Sequence, residues 1–556
     1  MTEPASQAPA FDISSTEIGC IADAYVARYW ELSPMAASAA GIPGHGHLLD
    51  DLSPSGDAAR LALIEEFLPQ VRGVATHTQA ERTAAAVMLN DLEEAQRELT
   101  TGSRGHAWGV ITSVVSALLE TYALMDAETQ RGALIARVGA VGEFLEGWYA
   151  SVLAQSARGV VNSRHAAKEV VIQLRQMANN GMHVSLLSDP TSEELETLQA
   201  ADVAMIALAD RLETEYLPLC RSGVAVGAGV YPTLAYAYLG TEIDLVKAYE
   251  TAQAELAVLN EEMRSLALSI YPSELEPANV PGLLDADPRY LVSSAGELKT
   301  RIEVMFSDAL KRLADDFLIP ERIRCCDVVI DANAMDSSPY YLGPSDDLSR
   351  PGAMCYPVAN REVFPLWREV STVYHESIPG HHLQVGLAVA ERANLTSFQR
   401  LLSWNCGHGE GWALYAERVM DMLGFLDDPA DRLGYLICRA LRIARVVIDI
   451  GLHMELTPPF AGVWTYESAV QFLMDTAWLT QDYAQSEINR YIAWPGQAIT
   501  YKIGEGYWLA ARDRAVAAGC PLPEFHDRVL RAGSVPLALL EQLADEAIAQ
   551  VLATHS

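Results

Sequence analysis

Long apolar runs are absent from this chain of 556 residues. No stretch reaches the roughly eighteen consecutive apolar residues that a membrane-spanning helix needs, so we expect no membrane partner. The first fifteen residues, MTEPASQAPAFDISS, have neither the basic start nor the apolar core of a secretory signal. These absences predict a cytoplasmic protein.

Cysteine and basic residues are also scarce. The eight cysteines never occur at C-x-x-C spacing, which argues against a disulfide framework and a thiolate zinc site. Lys and Arg number 39 against 73 Asp and Glu, giving a formal net charge of −34. A chain this acidic is not expected to bind nucleic acid or an anionic membrane surface. No feature of the sequence predicts an oligomeric state.

Helical periodicity is what the chain has in abundance. Half of its residues are hydrophobic, and in segments such as 79–99 and 131–156 they recur every three or four positions. Thr191 and Thr241 open two further helical patterns as predicted N-caps, and Glu194 completes a capping box with Thr191. The predicted fold class is therefore mainly α.

One stretch, residues 322–360, differs because it has β-branched and aromatic runs separated by turn clusters. We predict two or three short strands there, forming one small β-sheet immediately before a cluster of histidines. No linker or repeat divides the chain. We expect one compact body with a flexible N-terminus (1–15), an N-terminal helical region (16–320) and a catalytic region (321–556), joined at a soft boundary.

The histidine cluster reads HESIPGHHLQ and contains His375, His381 and His382. In the zinc motif H-E-x-x-H the two histidines are four residues apart, about one helical turn, so both reach one metal ion. Here the separations are six and seven residues, and a regular helix would turn His381 away from His375. Pro379 and Gly380 break that regularity. A local widening of the helix would then return His381 to the face of His375.

A third metal ligand is expected from the segment GHGEGWALYAE. Glu410 follows His375 by 35 residues, enough for one helix to end and a second to pack across it. Two histidines and one glutamate are a standard set for catalytic zinc, with a fourth position left open. We therefore predict that His375, His381 and Glu410 bind one zinc ion, with His382 as the alternative second histidine and His408 as a competing ligand.

The predicted metal site raises two further questions, the role of Glu417 and the identity of the metal. Glu417 lies seven residues after Glu410, on roughly the same helical face, and is interpreted as structural or supporting rather than as a ligand. A site of nitrogen and carboxylate ligands also accepts manganese, iron or cobalt, so the composition of the site favours zinc without restricting it to zinc.

Four ordered motifs carry a resemblance to a known family. The segments HESIPGHHLQ, GEGWALYAE, RALRIARVVIDIGLHM and EINRYIAWPGQAITYKIGE closely resemble the bacterial domain-of-unknown-function 885 family, and the likeness is densest from residue 337 to 510. That family is similar to zincin-like metallopeptidases. The resemblance implies a large helical zincin-like body with one small β-sheet before the active-site helix.

The resemblance also implies roles for individual residues. Carried over position by position, the His-Glu pair matches His375 and Glu376, the second histidine matches His381, and the third ligand matches Glu410. This sequence is two residues longer between the two histidines, so His382 stays an alternative. Many relatives are exported lipoproteins, whereas this chain shows no signal.

Peptide hydrolysis at zinc also needs a general base and a donor for the oxyanion. Glu376 is the predicted base, taking a proton from water and passing it to the leaving amine. Tyr501 is predicted to donate its phenol to the oxyanion, Lys502 to hold a substrate carboxylate, and Gln497 to bond a peptide group. The alternative for these last three residues is an ordinary packing or surface role.

Two further patterns complete the predicted surroundings of the site. The strand near Gly352–Tyr356 is expected to offer an edge to an extended peptide, with Tyr340 and Tyr341 lining the cleft. A charged stripe inside an apolar helix predicts a buried ion network rather than substrate contacts. Its members are spaced three, four and four positions apart: Arg442, Arg445, Asp449 and His453.

These features predict a zinc-dependent metallopeptidase, of carboxypeptidase or oligopeptidase type. It would hydrolyse short peptides through a metal-activated water, with Glu376 as general base. Two alternatives remain. One is a metal-dependent hydrolase or lyase acting on amide-bearing small molecules other than peptides, and the other is a binding protein with a structural or vestigial metal site.

Overall fold

Helices make up most of the chain, as the periodicity predicts. In the computed structural model they account for 66% of the residues and strands for 4%, so the mainly α fold class is confirmed. The structure describes residues 11–110, 112–123, 125–127, 129–331, 339–358 and 361–555. Residues 1–10 of the predicted flexible N-terminus, and residues 332–338 and 359–360 of the predicted strand region, lie outside this part.

The first half of the chain is helical, and its caps test two predictions. Thr191 and Glu194 form the predicted capping box. Thr241 does not cap its helix, because Asp244 accepts the hydrogen bond from Lys247 N and the helix begins three residues later than predicted. Before residue 320 the described helices are α1 (Glu17–Leu32), α2 (Pro34–Ala39), α3 (Pro54–Gly73), α4 (Gln79–Thr101), α5 (Val114–Ala123), α6 (Arg131–Gly139), α7 (Val141–Ser156), α8 (Arg164–Asn179), α9 (Ser192–Arg211), α10 (Tyr231–Leu239), α11 (Leu245–Ile270), α12 (Val280–Asp285) and α13 (Ala295–Arg312).

The described strands are β1 (Leu291–Val292), β2 (Cys326–Asp331), β3 (Tyr340–Leu342), β4 (Gly352–Pro357) and β5 (Phe364–Pro365). The predicted sheet has three strands in the order β2–β4–β3, with β4 parallel to β2 and antiparallel to β3. A second sheet pairs β1 with β5, so the prediction of a single sheet was incomplete. Two-residue strands are too short to leave an alternating pattern in the sequence.

Strand β4 lies in the middle of its sheet, and all six of its residues are buried. Both of its edges are already hydrogen-bonded, to β2 on one side and to β3 on the other. The prediction that Gly352–Tyr356 offers a free edge to a peptide is therefore wrong.

Helices resume after the sheets and continue to the end of the chain. They are α14 (Val370–Glu376), α15 (His381–Ala390), α16 (Ser397–Leu401), α17 (Cys406–Met422), α18 (Pro429–His453), α19 (Tyr466–Ala477), α20 (Gln481–Ala493), α21 (Thr500–Ala517), α22 (Leu522–Leu530) and α23 (Leu537–Thr554). Helix α17 packs along α21 and also contacts α14 and α15. The predicted catalytic and metal-binding residues lie on these four helices.

The described residues contain two hydrophobic clusters. The larger extends from Ile13 to Val551 and includes residues on both sides of residue 320. The smaller is built from residues between Trp108 and Cys220, mainly on α5 to α9. The division of the chain near residue 320 stays a prediction. What matters for the site is that α14, α15, α17 and α21 all contribute to the larger cluster.

Candidate metal centre

Three of the predicted metal ligands converge where α14, α15 and α17 meet. Nε2 of His375 and Nε2 of His381 lie 3.4 Å and 3.5 Å from the same oxygen, Oε2 of Glu410. One ligand atom from each residue lies within 4.8 Å of the other two. Both imidazoles are buried, and their rings are almost perpendicular. Within the described ranges, no other group of His, Cys, Asp or Glu side chains has this arrangement.

The chain brings His381 to His375 by ending one helix and beginning another. Helix α14 ends at Glu376, the peptide bond before Pro379 is cis, and α15 begins at His381. The prediction of a single widened helix was therefore wrong, although the two histidines do meet. A Cβ on Gly380 would lie 2.6 Å from the carbonyl carbon of His375, so a larger residue would push the two helix ends apart.

Helix α17 holds both the carboxylate and the loop between α14 and α15. Trp412, two residues after Glu410, is fully buried and donates its Nε1–H to the carbonyl oxygen of Pro379 at 2.8 Å. The loop and Glu410 are therefore positioned by the same rigid element.

Helices α17 and α21 approach each other closely because glycines face one another. A Cβ on Gly411 would lie 2.5 Å from Cα of Gly504, which real side chains do not tolerate. Gly411 follows Glu410 directly, and Gly504 lies one turn after Tyr501. The close contact therefore sets the distance between the proposed ligand and Tyr501, whose ring centroid is 6.3 Å from that of His375.

Glu417 orients His375. The Nδ1–H of His375 donates to Oε1 of Glu417 at 2.8 Å, and the other carboxylate oxygen accepts from the hydroxyl of Ser371. Because Nδ1 donates to Glu417, Nε2 is the ring nitrogen that faces Glu410 and that can bind a metal once it has lost its proton. A carboxylate that fixes the tautomer of a histidine in this way is the usual support of a metal-binding imidazole. Glu417 thus has the supporting position that its spacing predicted.

The charges of the cluster favour a cation. Burial lowers the pKa of His375, but Glu410 and Glu417 outweigh it and raise that pKa to about 10. Burial likewise raises the pKa of Glu410, but its contacts with His375 and His381 hold it well below the usual value. Oε2 of Glu410 is buried and accepts no well-formed hydrogen bond from the described residues. A metal ion would supply this oxygen with a partner, so the donor set fits one.

Glu376 is the last residue of α14 and follows His375 directly. Its side chain is buried, and burial raises the pKa of its carboxyl group, against the opposing effect of His375 and His381. A raised pKa makes the carboxylate a stronger base than an exposed glutamate.

The two alternative histidine ligands lie apart from the cluster. His382 donates Nε2–H to the carbonyl oxygen of Ile323 at 2.7 Å, and its Nδ1 accepts from the hydroxyl of Tyr341 at 2.9 Å. Both ring nitrogens of His382 are therefore engaged, and burial lowers its pKa to about 4. His408 accepts from Nε2 of Gln384 at 3.0 Å and is not part of the three-residue group.

Tyr341 was predicted to contact substrate, and its phenol hydroxyl is instead bonded to His382. Burial raises the pKa of this phenol. The structure thus gives Tyr341 a supporting position on β3, next to the start of α15, rather than a free hydroxyl.

Tyr501 and Gln497 meet a guanidinium that the sequence reasoning missed. Nη2 of Arg490 donates to the hydroxyl oxygen of Tyr501 at 3.1 Å and to Oε1 of Gln497 at 2.7 Å. Because the phenol oxygen accepts this bond, its own O–H remains available as a donor. The signal for Arg490 was present in the motif EINRYIAWPGQ, where a Glu and an Arg stand three residues apart among apolar residues.

Lys502 has surroundings that differ from the prediction. Its ammonium lies 2.9 Å from Glu505 and 3.0 Å from Glu255, so two carboxylates already balance its charge. One residue along a helix is a rotation of about 100°, which turns Lys502 away from the face that carries Tyr501. The cation bonded to the hydroxyl of Tyr501 is Arg490.

The predicted buried ion network is confirmed for Arg445 only, and the charged stripe divides into two parts. Arg445 pairs with Glu487 on α20 at 2.8 Å, and both side chains are buried. Asp449 accepts from the hydroxyl of Tyr231 at 2.7 Å and from Gly496 N at 2.8 Å. The first part lies near Tyr501, and the second fastens α18 to α10 and to the turn before α21.

Comparisons with known proteins place the chain in a family. A family model described as "Bacterial protein of unknown function (DUF885)" matches residues 34–543. Because this match covers most of the chain, the chain belongs to that family. A search of curated proteins gives no match.

Two solved structures share the fold. One is "the putative lipoprotein from Colwellia psychrerythraea", with a TM-score of 0.79 and 21% identity over 96% of this chain and 100% of that chain. The other is "a putative lipoprotein of unknown function from Shewanella oneidensis", with a TM-score of 0.70 and 17% identity over 95% of this chain and 100% of that chain. These descriptions give no support to the predicted cytoplasmic location. Every helix in the described part of this chain is too short or too polar to cross a bilayer.

Proposed function

We propose that this member of the DUF885 family is a zincin-like metallopeptidase that hydrolyses short peptides. One observation carries the proposal: the ligand atoms of His375, His381 and Glu410 lie within 4.8 Å of one another. Two histidines and a glutamate are a standard protein set for catalytic zinc, and they leave the fourth position open. We take zinc, one ion per chain, as the favoured metal.

Zinc in this position would supply Lewis acidity to a substrate carbonyl and to water. Glu376, which follows His375 directly, takes the proton from the attacking water and hands it to the leaving amine. Its burial supports this role, because a carboxylate with a raised pKa binds the transferred proton more strongly.

Tyr501 stabilises the oxyanion that forms when water adds to the amide carbonyl. Its ring lies beside that of His375, and its hydroxyl oxygen accepts a hydrogen bond from Arg490. The phenol is thereby held in place with its O–H free to donate to the substrate. Removal of one such donor typically lowers turnover by about two to three orders of magnitude.

A peptide-library digest with mass-spectrometric readout tests the proposal. Protein stripped of metal, the same protein reloaded with zinc, and the reloaded protein with chelator are compared. We expect peptide bonds to be cut only in the reloaded sample without chelator. If no peptide is cut but amide-bearing small molecules are, the enzyme is a metal-dependent hydrolase or lyase of another substrate class. Absence of any turnover by the zinc-loaded protein would contradict the proposal and leave a binding protein with a structural metal.

The variant Glu376→Gln separates chemistry from metal binding. It should retain one equivalent of zinc and lose turnover by about two to four orders of magnitude, the usual contribution of a general base. Glu362→Gln makes the same change at an exposed position before α14 and should behave as the wild type. Wild-type turnover by Glu376→Gln would remove Glu376 as the base.

A further inference from the structure

Three arginine side chains surround the ring of Tyr501. The guanidinium carbon of Arg445 lies 4.7 Å from the ring centroid, and those of Arg442 and Arg490 each lie 5.8 Å from it. Arg442 and Arg445 come from α18, Arg490 comes from α20, and Tyr501 belongs to α21. Three helices therefore concentrate positive charge beside the candidate metal centre.

Each guanidinium keeps a buried nitrogen without a hydrogen-bond partner. These nitrogens are Nε of Arg442, Nη1 of Arg445 and Nε of Arg490. The side chain of Arg445 is only 4% exposed, so bulk water does not serve its free donor. Buried donors on a cation are costly when they are unpaired, and native proteins seldom retain several together. An acceptor that arrives with a ligand would satisfy them.

Neighbouring carboxylates balance only part of this charge. Glu487 lies 2.8 Å from Arg445 and 3.7 Å from Arg490. Among the described residues, no other carboxylate lies within 4.0 Å of any of the three guanidiniums, and Arg442 has no such partner. Glu417 is close enough to act on Arg442 electrostatically, but it is already bonded to His375. The arginines around Tyr501 therefore form a locally positive cluster, although the chain as a whole has 73 acidic and only 39 basic residues.

The cluster lies at a distance from the metal centre that suits the end of a peptide. The ring of Tyr501 lies 6.3 Å from the ring of His375 and 4.7 Å from the guanidinium of Arg445. The guanidinium is therefore at most about 11 Å from the His375 ring, a distance that roughly three extended residues cover. An anion held by the arginines would therefore lie one to three residues from the bond that is cut.

We propose that Arg442, Arg445 and Arg490 bind the free C-terminal carboxylate of the substrate, so that the enzyme removes one to three residues from the C-terminus. The inference rests on the proposed peptidase function and adds its direction of cleavage. Guanidinium groups suit this task, because their planar N–H pairs match the two oxygens of a carboxylate. Lys502, the cation that the sequence suggested for this role, is engaged with two glutamates.

Matched substrates test the direction of cleavage. Zinc-loaded wild type is given a short peptide with a free C-terminal carboxylate and the same peptide as its C-terminal amide. We expect kcat/KM to be at least about 100-fold higher for the acid, in line with loss of a charged, desolvated contact in the amide. Equal rates for acid and amide would overturn the inference and leave the peptidase proposal standing.

Variants show whether the arginines cause that preference. Arg442→Gln should lower kcat/KM for the acid at least tenfold and leave the rate for the amide unchanged. Arg439→Gln, on the same helix but over the ring of Tyr435, should leave both rates and their ratio unchanged. An equal loss for both substrates in Arg442→Gln would contradict a carboxylate-binding role. If that variant does not fold, Arg442→Lys, which keeps the charge but loses the planar N–H pairs, is used in the same way.

A binding measurement on metal-free protein does not depend on turnover. Trialanine, trialanine amide and inorganic phosphate are titrated by calorimetry into wild type, Arg442→Gln and Arg439→Gln. We expect trialanine to bind at least tenfold more tightly than its amide in wild type and Arg439→Gln only. Equal or undetectable binding of acid and amide would overturn the inference. Tighter binding of phosphate than of trialanine would assign the cluster to a free phosphate and overturn the peptide assignment.

Discussion

His375 donates its Nδ1–H to Oε1 of Glu417 at 2.8 Å, and this bond turns Nε2 of the same ring toward Glu410. Glu410 and Glu417 are seven residues apart on α17, about two turns of helix. One helix therefore supplies a proposed metal ligand and also the carboxylate that orients another ligand. This shared helix makes the geometry of the site depend on the packing of α17.

Glu417→Gln should weaken metal binding without removing a ligand. The neutral amide no longer favours the tautomer in which Nε2 is free, and loss of such a partner typically costs about 10- to 100-fold in affinity. Competition with a chromophoric chelator measures the change. Asp421→Asn, one turn further along α17 and paired with Arg432, serves as the control and should bind zinc as the wild type does. Unchanged affinity in Glu417→Gln would show that this carboxylate does not support the site.

The neighbouring histidines His381 and His382 should respond differently to the same substitution. His381→Gln is expected to lose bound zinc, because it removes one of three ligand atoms. His382→Gln should retain about one equivalent of zinc, although it loses its bonds to Ile323 and Tyr341 and becomes less stable. Elemental analysis of both purified variants measures the difference. Zinc retained by His381→Gln and lost by His382→Gln would reverse the assignment.

Zinc binding should release a proton from His375. The pKa of this residue in the metal-free protein is about 10, so the imidazole is protonated at pH 8 and must lose its proton to bind a metal. A histidine with an ordinary pKa of about 6.5 would already be neutral at that pH. Calorimetry at pH 8 in buffers of different ionisation enthalpy counts the protons. We expect His375 to release about one proton per zinc ion bound, and the affinity for zinc to rise with pH up to about 10. If zinc binding released no proton at pH 8, this expectation would be contradicted.

Gly411→Ala should destabilise the protein by forcing α17 and α21 apart. The added Cβ would meet Cα of Gly504 at 2.5 Å, and overpacking of this kind costs about 1–3 kcal/mol. Gly506→Ala is a matched control on α21, because its Cβ would meet nothing within 4 Å and alanine is the better helix former by about 1 kcal/mol. Urea denaturation compares the two variants. Equal stability of Gly411→Ala and wild type would show that the helices tolerate separation.

The sequence predicted the members of the candidate site better than it predicted the backbone that assembles them. The residue types, which suit a metal, together with the family resemblance pointed to His375, His381 and Glu410, and left His382 as an alternative. The break between α14 and α15 was not predictable from periodicity, which assumes a continuous helix. For the same reason the periodicity predicted an N-cap at Thr241, whereas α11 begins after Asp244, which accepts the capping hydrogen bond.

Predictions that depend on which side of an element faces a neighbour were the weakest. Lys502 was chosen because it follows Tyr501, but only the packing of α21 shows that it meets Glu255 and Glu505. Arg490 was missed for the same reason, since its contact with Tyr501 crosses from α20 to α21. The short strands β1 and β5 were missed because two residues carry no alternating pattern.

The central claim is that His375, His381 and Glu410 hold one metal ion. Crystals of zinc-loaded protein, measured on both sides of the zinc absorption edge, test it most directly through the anomalous difference map. We predict a single strong peak between Nε2 of His375, Nε2 of His381 and the carboxylate of Glu410, about 2.0–2.2 Å from each ligand atom. A fully zinc-loaded crystal with no peak there, or with its peak at other residues, would contradict the claim.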